Sequence, residues 1–207
     1  MKNLSLLIIA LVLLTACNNS SKKEATSAAQ KQNAESKTSP KASFTDADYQ
    51  LFIGAAFENQ ESVVKAKIAE GIDVNYADEN KRTALMLASY NGNLSIVKML
   101  LEAGANVNMV DMSSSTALMF ACSGPFVETV KALISAGADI DAIDNNEHWN
   151  PVMWAAAEGQ TEVLKVLIAE GADYTKVDID GESAYDFALA NHHPQTAEYI
   201  KSLSLKE

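Results

Sequence analysis

The sequence predicts an all-α solenoid: about five stacked helix-turn-helix units joined by finger-like turns, with a cap at each end. Three observations predict it. A tetrapeptide recurs in decaying form as Thr83-Ala84-Leu85-Met86, Thr116-Ala117-Leu118-Met119, Asn150-Pro151-Val152-Met153 and Ser183-Ala184-Tyr185-Asp186, at spacings of 33, 34 and 33 residues. A fixed period of this size marks supersecondary units that bury their apolar faces only against their neighbours. Behind each tetrapeptide come small residues, then an apolar stretch with helical spacing, then a glycine. Each glycine is followed by a polar, turn-rich segment that leads to Asp78, Asp111, Asp144 or Asp178.

The units follow in order. The first, near residues 46–77, carries Tyr49-Gln50-Leu51-Phe52, with Gln50 33 residues before Thr83 of the first clear tetrapeptide and Ala55-Ala56 behind it. It lacks the threonine, and Lys65 and Lys67 wet one face of its second helix, as a terminal cap requires. The second, near 78–110, pairs Ala88-Ser89 with the helical stripe Ile96, Val97, Leu100 and Leu101, and Gly104 supplies the left-handed residue that stops that helix. The third, near 111–143, repeats this with Ala121-Cys122, Val130, Leu133 and Gly137, but Pro125 stands between its helices. The fourth, near 144–177, has Pro151 preset at the start of its first helix and one extra residue in its finger, residues 145–149. The fifth, near 178–207, stops after Ile200-Lys201 without another finger and reads as the second cap.

From Asp46 to the C-terminus the chain resembles the ankyrin-repeat family. The family's T-P-L-H-x-A and G-A-D-V-N segments have their counterparts in Thr83-Ala84-Leu85-Met86-Leu87-Ala88 and Gly104-Ala105-Asn106-Val107-Asn108. The departures are informative. Met86, Met119 and Met153 replace the usual histidine, which predicts a lost hydrogen bond and more adaptable apolar packing. The resemblance implies a protein-binding module without catalysis or cofactor, monomeric, whose finger tips and first helices form a concave recognition groove.

Residues 1–17 do not fit the repeat. Lys2 precedes a nearly unbroken apolar run from Leu4 to Leu14, too short to span a bilayer comfortably, and Leu14-Thr15-Ala16-Cys17 follows. That ending resembles the bacterial lipobox, whose cysteine is acylated and becomes the new N-terminus. The resemblance implies a lipoprotein signal peptide, an acyl anchor on Cys17 and a cell-envelope location, in the periplasm or at the surface. Asn18 occupies the place where, by the same resemblance, an Asp marks inner-membrane retention, which points to the outer membrane. Residues 18–43 are rich in Ser, Lys, Ala and Gln and contain no apolar period, so they are expected to form a disordered tether to the domain at 44–207.

Charge narrows the partners. The whole chain carries −11. The tether has five lysines against two glutamates, whereas residues 44–207 hold 10 basic and 25 acidic residues, a net of −15. Phosphate backbones would repel such a domain, which excludes nucleic acid and favours a basic protein as partner. Nothing in the chain has the spacing of a phosphate loop, a nucleophile elbow or a Cys/His metal site. His192-His193, before Pro194, read as a solvated turn. Paired carboxylates such as Asp139/Asp141 and Asp178/Asp180 recur with the turns and are expected to cap local backbone. Cys122 takes a small-residue place and is expected to be buried.

Mapped by phase, the groove should present Phe57, Glu79, Arg82, Tyr90, Asn91, Met112, Asn145, His148, Trp149, Glu158, Asp180 and Glu182. Phe57, Tyr90 and Trp149 are large aromatics at places the repeat core does not need, and such residues anchor interfaces. Trp154, directly behind a tetrapeptide, is expected to pack between helices. By resemblance to exported bacterial ankyrin proteins, the module would inhibit or give immunity against an envelope toxin or hydrolase; the alternative is a scaffold supporting an envelope enzyme, for example in oxidative-stress protection.

Overall fold

The computed structural model describes residues 43–203. The expectations for the signal peptide, Cys17 and almost all of the tether lie outside the described residues. Among the described residues ten helices run in pairs: α1 Asp46–Phe57, α2 Glu61–Glu70, α3 Ala84–Tyr90, α4 Leu94–Glu102, α5 Ala117–Cys122, α6 Val127–Ser135, α7 Pro151–Ala157, α8 Thr161–Ala169, α9 Ala184–Ala190 and α10 Pro194–Leu203. The odd-numbered helices pack on one another in sequence as an inner layer, and the even-numbered helices do the same as an outer layer. Among the described residues the structure is all-α apart from isolated bridges at Ala77–Thr83, Val110–Thr116 and Val177–Ser183, each closing one finger.

The tetrapeptide earns its repetition as a helix start. The hydroxyls of Thr83, Thr116 and Ser183 and the Asn150 side chain each accept a hydrogen bond from the backbone N–H three residues on. A cap of this kind is worth about 1 kcal/mol, and it matters most in helices of two turns or fewer. The expected loss of a bond at the methionines is corrected in part. The Thr83 N–H points at Met86 Sδ at 3.4 Å and the Thr116 N–H at Met119 Sδ at 3.5 Å, so sulfur stands in as a weak acceptor. Ser183 and Asp186 form the stronger version, with a carboxylate accepting at 2.9 Å.

The second helix of each of the first four units ends as predicted on a left-handed glycine, Gly71, Gly104, Gly137 or Gly171. The core consists of small residues on the inner helices and branched residues facing them, including Leu85, Leu100, Leu118, Leu133, Leu164 and Leu167. Burying each such side chain contributes about 1.5–3 kcal/mol. Cys122 lies fully inside this core, and burial pushes its thiol pKa up.

The first unit departs from expectation. Its helix starts one turn earlier than the tetrapeptide phase indicates, and Thr45, not Gln50, is its cap. Thr45 and Asp48 form a reciprocal capping box. The Thr45 hydroxyl, with Lys67 at 2.9 Å, holds the Asp48 carboxyl well below the usual carboxylate range. Lys67, expected to face water, instead bridges Asp48 and Glu70 and lies over the Phe44 ring.

Side-chain amides tie the units together. Asn75 Nδ2 donates to the Gly104 carbonyl at 3.3 Å while its Oδ1 accepts from the Asn106 N–H at 2.7 Å. Asn108 does the same one unit later, to Gly137 and from Asp139. Asp141 keeps only the accepting half, from the Asp173 N–H at 3.0 Å. Asn93 Nδ2 reaches back to the Ala56 and Phe57 carbonyls, at 2.9 and 3.1 Å.

Candidate protein-binding face

The fingers are built by one recurring carboxylate. Asp78 accepts from the Asn80 and Arg82 N–H groups, Asp111 from Ser113 and Ser115, and Asp178 from Asp180 and Glu182, all at 2.7–3.0 Å. The extra residue of the fourth finger is absorbed at Asp144, which accepts from Asn146, Glu147 and Trp149. That finger closes with the Asp144 N–H on the Trp149 carbonyl, one residue farther than Asp78 to Arg82, and it forms no bridge of the kind seen in its neighbours. The paired-carboxylate expectation therefore holds: Asp139 and Asp178 each accept from the backbone N–H two residues on. Among the described residues, no group of His, Cys, Asp and Glu is placed to hold a metal ion.

Successive finger tips are hydrogen-bonded to each other. The Met112 N–H donates to the Asn80 carbonyl at 3.1 Å, the Asn145 N–H to Ser113 at 2.9 Å, and the Ile179 N–H to Glu147 at 3.2 Å. The fingers thus form one continuous edge, held at a fixed spacing by the inner helices.

Apart from the aromatics, the predicted site residues divide into three groups. Glu79, Met112, His148 and Asp180 are exposed on the fingers, with His148 in the left-handed region at φ +60°. Arg82, Asn91 and Asn145 are committed to the architecture. Arg82 is paired with Asp78 at 3.0 Å, Asn91 Nδ2 donates to the Phe57 carbonyl at 2.8 Å, and Asn145 Nδ2 donates to the Met112 carbonyl at 3.3 Å. These bonds hold the three side chains in place, with Asn91 and Asn145 still exposed. Glu158 and Glu182 are half-buried, and desolvation raises the pKa of Glu158 against a smaller opposing effect of His193. His193 itself lies on Gly159, and only His192 faces solvent.

The aromatics form two groups on the inner layer. Phe57 and Tyr90 stack at 6.4 Å, and Tyr90 meets Phe120 edge-on at 6.1 Å. All three are half-buried, so each leaves part of its ring to solvent on consecutive inner helices. Farther along, Trp149 meets Trp154 edge-on at 5.5 Å and Phe187 at 4.4 Å. The exposed-groove reading of Trp149 is corrected: it is packed against the core, wedged between its own unit and the next. Trp154 packs with it, as expected. Neither indole N–H has a protein acceptor, although both nitrogens are buried.

Phe120 and Phe187 were not among the predicted site residues. They stand in phase with Leu87 and Trp154, a position that is apolar in every complete unit and so reads as core. The legible signal was size: a ring at that place outgrows the space that Leu87 fills.

No curated protein matches the chain. The family model described as ankyrin repeats (3 copies) matches residues 51–144 and 127–204. Those spans cover the fingers, both helical layers and the aromatic surface just described, and the chain belongs to the ankyrin-repeat family of protein-binding modules.

Proposed function

We propose that this protein is a non-catalytic binding module of a bacterial cell envelope, held there by an acylated Cys17, which grips a protein partner across its inner helices and fingers. The observation that carries the binding reading is the run Phe57–Tyr90–Phe120. Three half-buried rings on three consecutive inner helices are joined through Tyr90, so they offer apolar area that is already ordered. Pre-ordered aromatics lose little entropy on binding and are the commonest anchors of interfaces. Acidic fingers beside them favour a basic partner and speed its encounter.

The role that best fits a stoichiometric groove binder is inhibition of, or immunity to, an envelope toxin or hydrolase. The test is affinity capture from envelope extract with the full chain, followed by activity assays of the captured protein. Tyr90→Ala, which keeps the helix, is expected to weaken capture by about 2 kcal/mol or more, roughly 30-fold. A captured hydrolase whose activity is suppressed in proportion to added chain supports the inhibitor role. A partner whose activity falls when the chain is deleted assigns the scaffold role instead. Capture unchanged by Tyr90→Ala and Phe120→Ala overturns the aromatic groove.

A further inference from the structure

The fingers carry a second surface feature, which sequence phase alone left unread. Seven large apolar side chains are strongly exposed among the described residues, and five of them, Val110, Met112, Ile143, Val177 and Ile179, lie on fingers. Their exposures run from 42% to 62%, and they occur in register. Val110, Ile143 and Val177 each stand immediately before the turn-forming Asp of their unit, and Met112 and Ile179 stand immediately after it. Asp144 and Asp178 are buried and Asp111 is half-buried, so alternation sends the flanking side chains outward together. The tip-to-tip hydrogen bonds align the three fingers, which sets Val110, Ile143 and Val177 in one apolar row, with Met112 and Ile179 beside it and Asn145 between those two. The first finger has Ala77 and Glu79 at these places, so the row begins at the second finger.

We infer that this row is the docking site for an amphipathic, basic protein segment whose aliphatic residues recur about every 10 Å. The inference rests on the binding reading above and specifies its partner. The spacing follows from the stack: adjacent helices of a layer lie about 8–10 Å apart, so the apolar knobs of adjacent fingers recur at that step. Two turns of a partner helix advance about 10.5 Å, which puts one aliphatic side chain per heptad opposite each finger. The charge follows from the surroundings. Glu79 and Asp180 are exposed on fingers beside the row, and the domain carries 25 acidic against 10 basic residues. Lys176, the lysine nearest Val177 in sequence, lies 3.8 Å from Asp141.

The test uses synthetic three-heptad peptides with Leu at two positions of each heptad and Lys at the flanks. Affinity for the full-length chain is read by fluorescence anisotropy in one nonionic detergent, so that peptide–micelle binding is common to every protein compared. The Val110→Ser/Ile143→Ser/Val177→Ser chain is expected to bind at least tenfold more weakly. A peptide with Ser in place of Leu should lose at least tenfold at equal charge, and a Glu-for-Lys peptide should not bind. An unchanged urea midpoint shows that the exposed substitutions leave the fold intact. The inference is overturned if the serine peptide binds within twofold of the leucine peptide, or if the triple variant binds within twofold of wild type. It is equally overturned if sedimentation shows a dimer of the chain that the triple substitution dissociates, because the row is then a self-association face. Partner capture that is lost with Tyr90→Ala and retained by the triple variant removes this inference and leaves the general reading standing. Capture insensitive to both removes both.

Discussion

Phe126 offers a test of how the units are joined. It occupies the place held by Asn93, Gln160 and His193 in other units, and its ring lies over Gly92 of the preceding unit. A Cβ built on Gly92 runs into that ring at three carbons, whereas a Cβ on Gly104 meets nothing within 4 Å. Both glycines are left-handed, at φ +64° and +89°. Alanine in that region costs about 1–2 kcal/mol, offset by up to about 1 kcal/mol from a less flexible unfolded chain. Gly104→Ala is therefore expected to cost about 1 kcal/mol. Gly92→Ala adds an overpacking cost of about 1–3 kcal/mol at the junction, since a half-buried ring relieves only part of the clash. In urea, with a slope near 2 kcal/mol per M, the two variants should differ in midpoint by about 0.5–1.5 M. In a Phe126→Ala background the further cost of Gly92→Ala should fall back to about 1 kcal/mol, and the double-mutant cycle reads this difference as coupling. Equal midpoints for Gly92→Ala and Gly104→Ala, or a cycle that closes with no coupling, would refute the reasoning.

Three further outcomes are expected. Asp144→Ala strands three backbone N–H groups and should cost about 2–4 kcal/mol in urea unfolding, while Asp144→Asn, which keeps an accepting oxygen, should cost less than half of that. Asp48 has a depressed folded pKa, so its stabilising effect is complete above the unfolded value near pH 4 and is lost as the pH falls below it. Asp48→Asn should accordingly flatten the acid limb of a plot of urea midpoint against pH, and an unchanged limb would show that Asp48 does not supply it. Cys122 is sealed in the core with its thiol pKa raised, so in a Cys17→Ser chain it should react with a disulfide reagent only as fast as the fold opens. Rapid labelling in native buffer would contradict the packing.

Period and punctuation made the architecture legible. Small residues, stripes and glycines at fixed phase leave little choice but paired helices and fingers, and the capping residues occur where the tetrapeptide puts them. The first helix escaped that logic because a terminal unit has no preceding finger to dictate where it starts, and Thr45 with Asp48 supplies an earlier nucleus. The recognition face was legible only in outline. Whether Asn91 or Arg82 greets a partner depends on acceptors at Phe57, 34 residues away, and at Asp78 across one turn, and residue type alone does not show that these amides and charges are spoken for. The aliphatic row was missed for the opposite reason: a valine or isoleucine before the turn reads as core until its exposure is seen.

The fourth unit shows how the stack tolerates its own irregularity. In a solenoid each junction is held mainly by its own contacts, so a weakened tie must be answered locally. At the fourth unit Asp141 has no amide proton to give the Gly171 carbonyl, and the lengthened finger forms no bridge. Two contacts of the fourth unit's own residues brace it, one within the unit and one toward the fifth. Asn150, besides capping its helix, donates from Nδ2 to the Asp173 carbonyl at 3.2 Å. Trp149 closes the finger against Trp154 and Phe187 of the next unit, at a distance that places the rings in direct contact. Such aromatic pairs contribute about 0.5–1.5 kcal/mol beyond the area they bury, comparable to a lost amide bond. The tie from Asp141 joins the third and fourth units, where Asp141 also meets Lys176 at 3.8 Å, whereas the tryptophan stiffens the junction of the fourth and fifth. Its finger still carries Ile143 at the place of Val110 and Val177, and His148 keeps the left-handed conformation of Lys81 and Ser114, so the extra residue is absorbed without breaking the row.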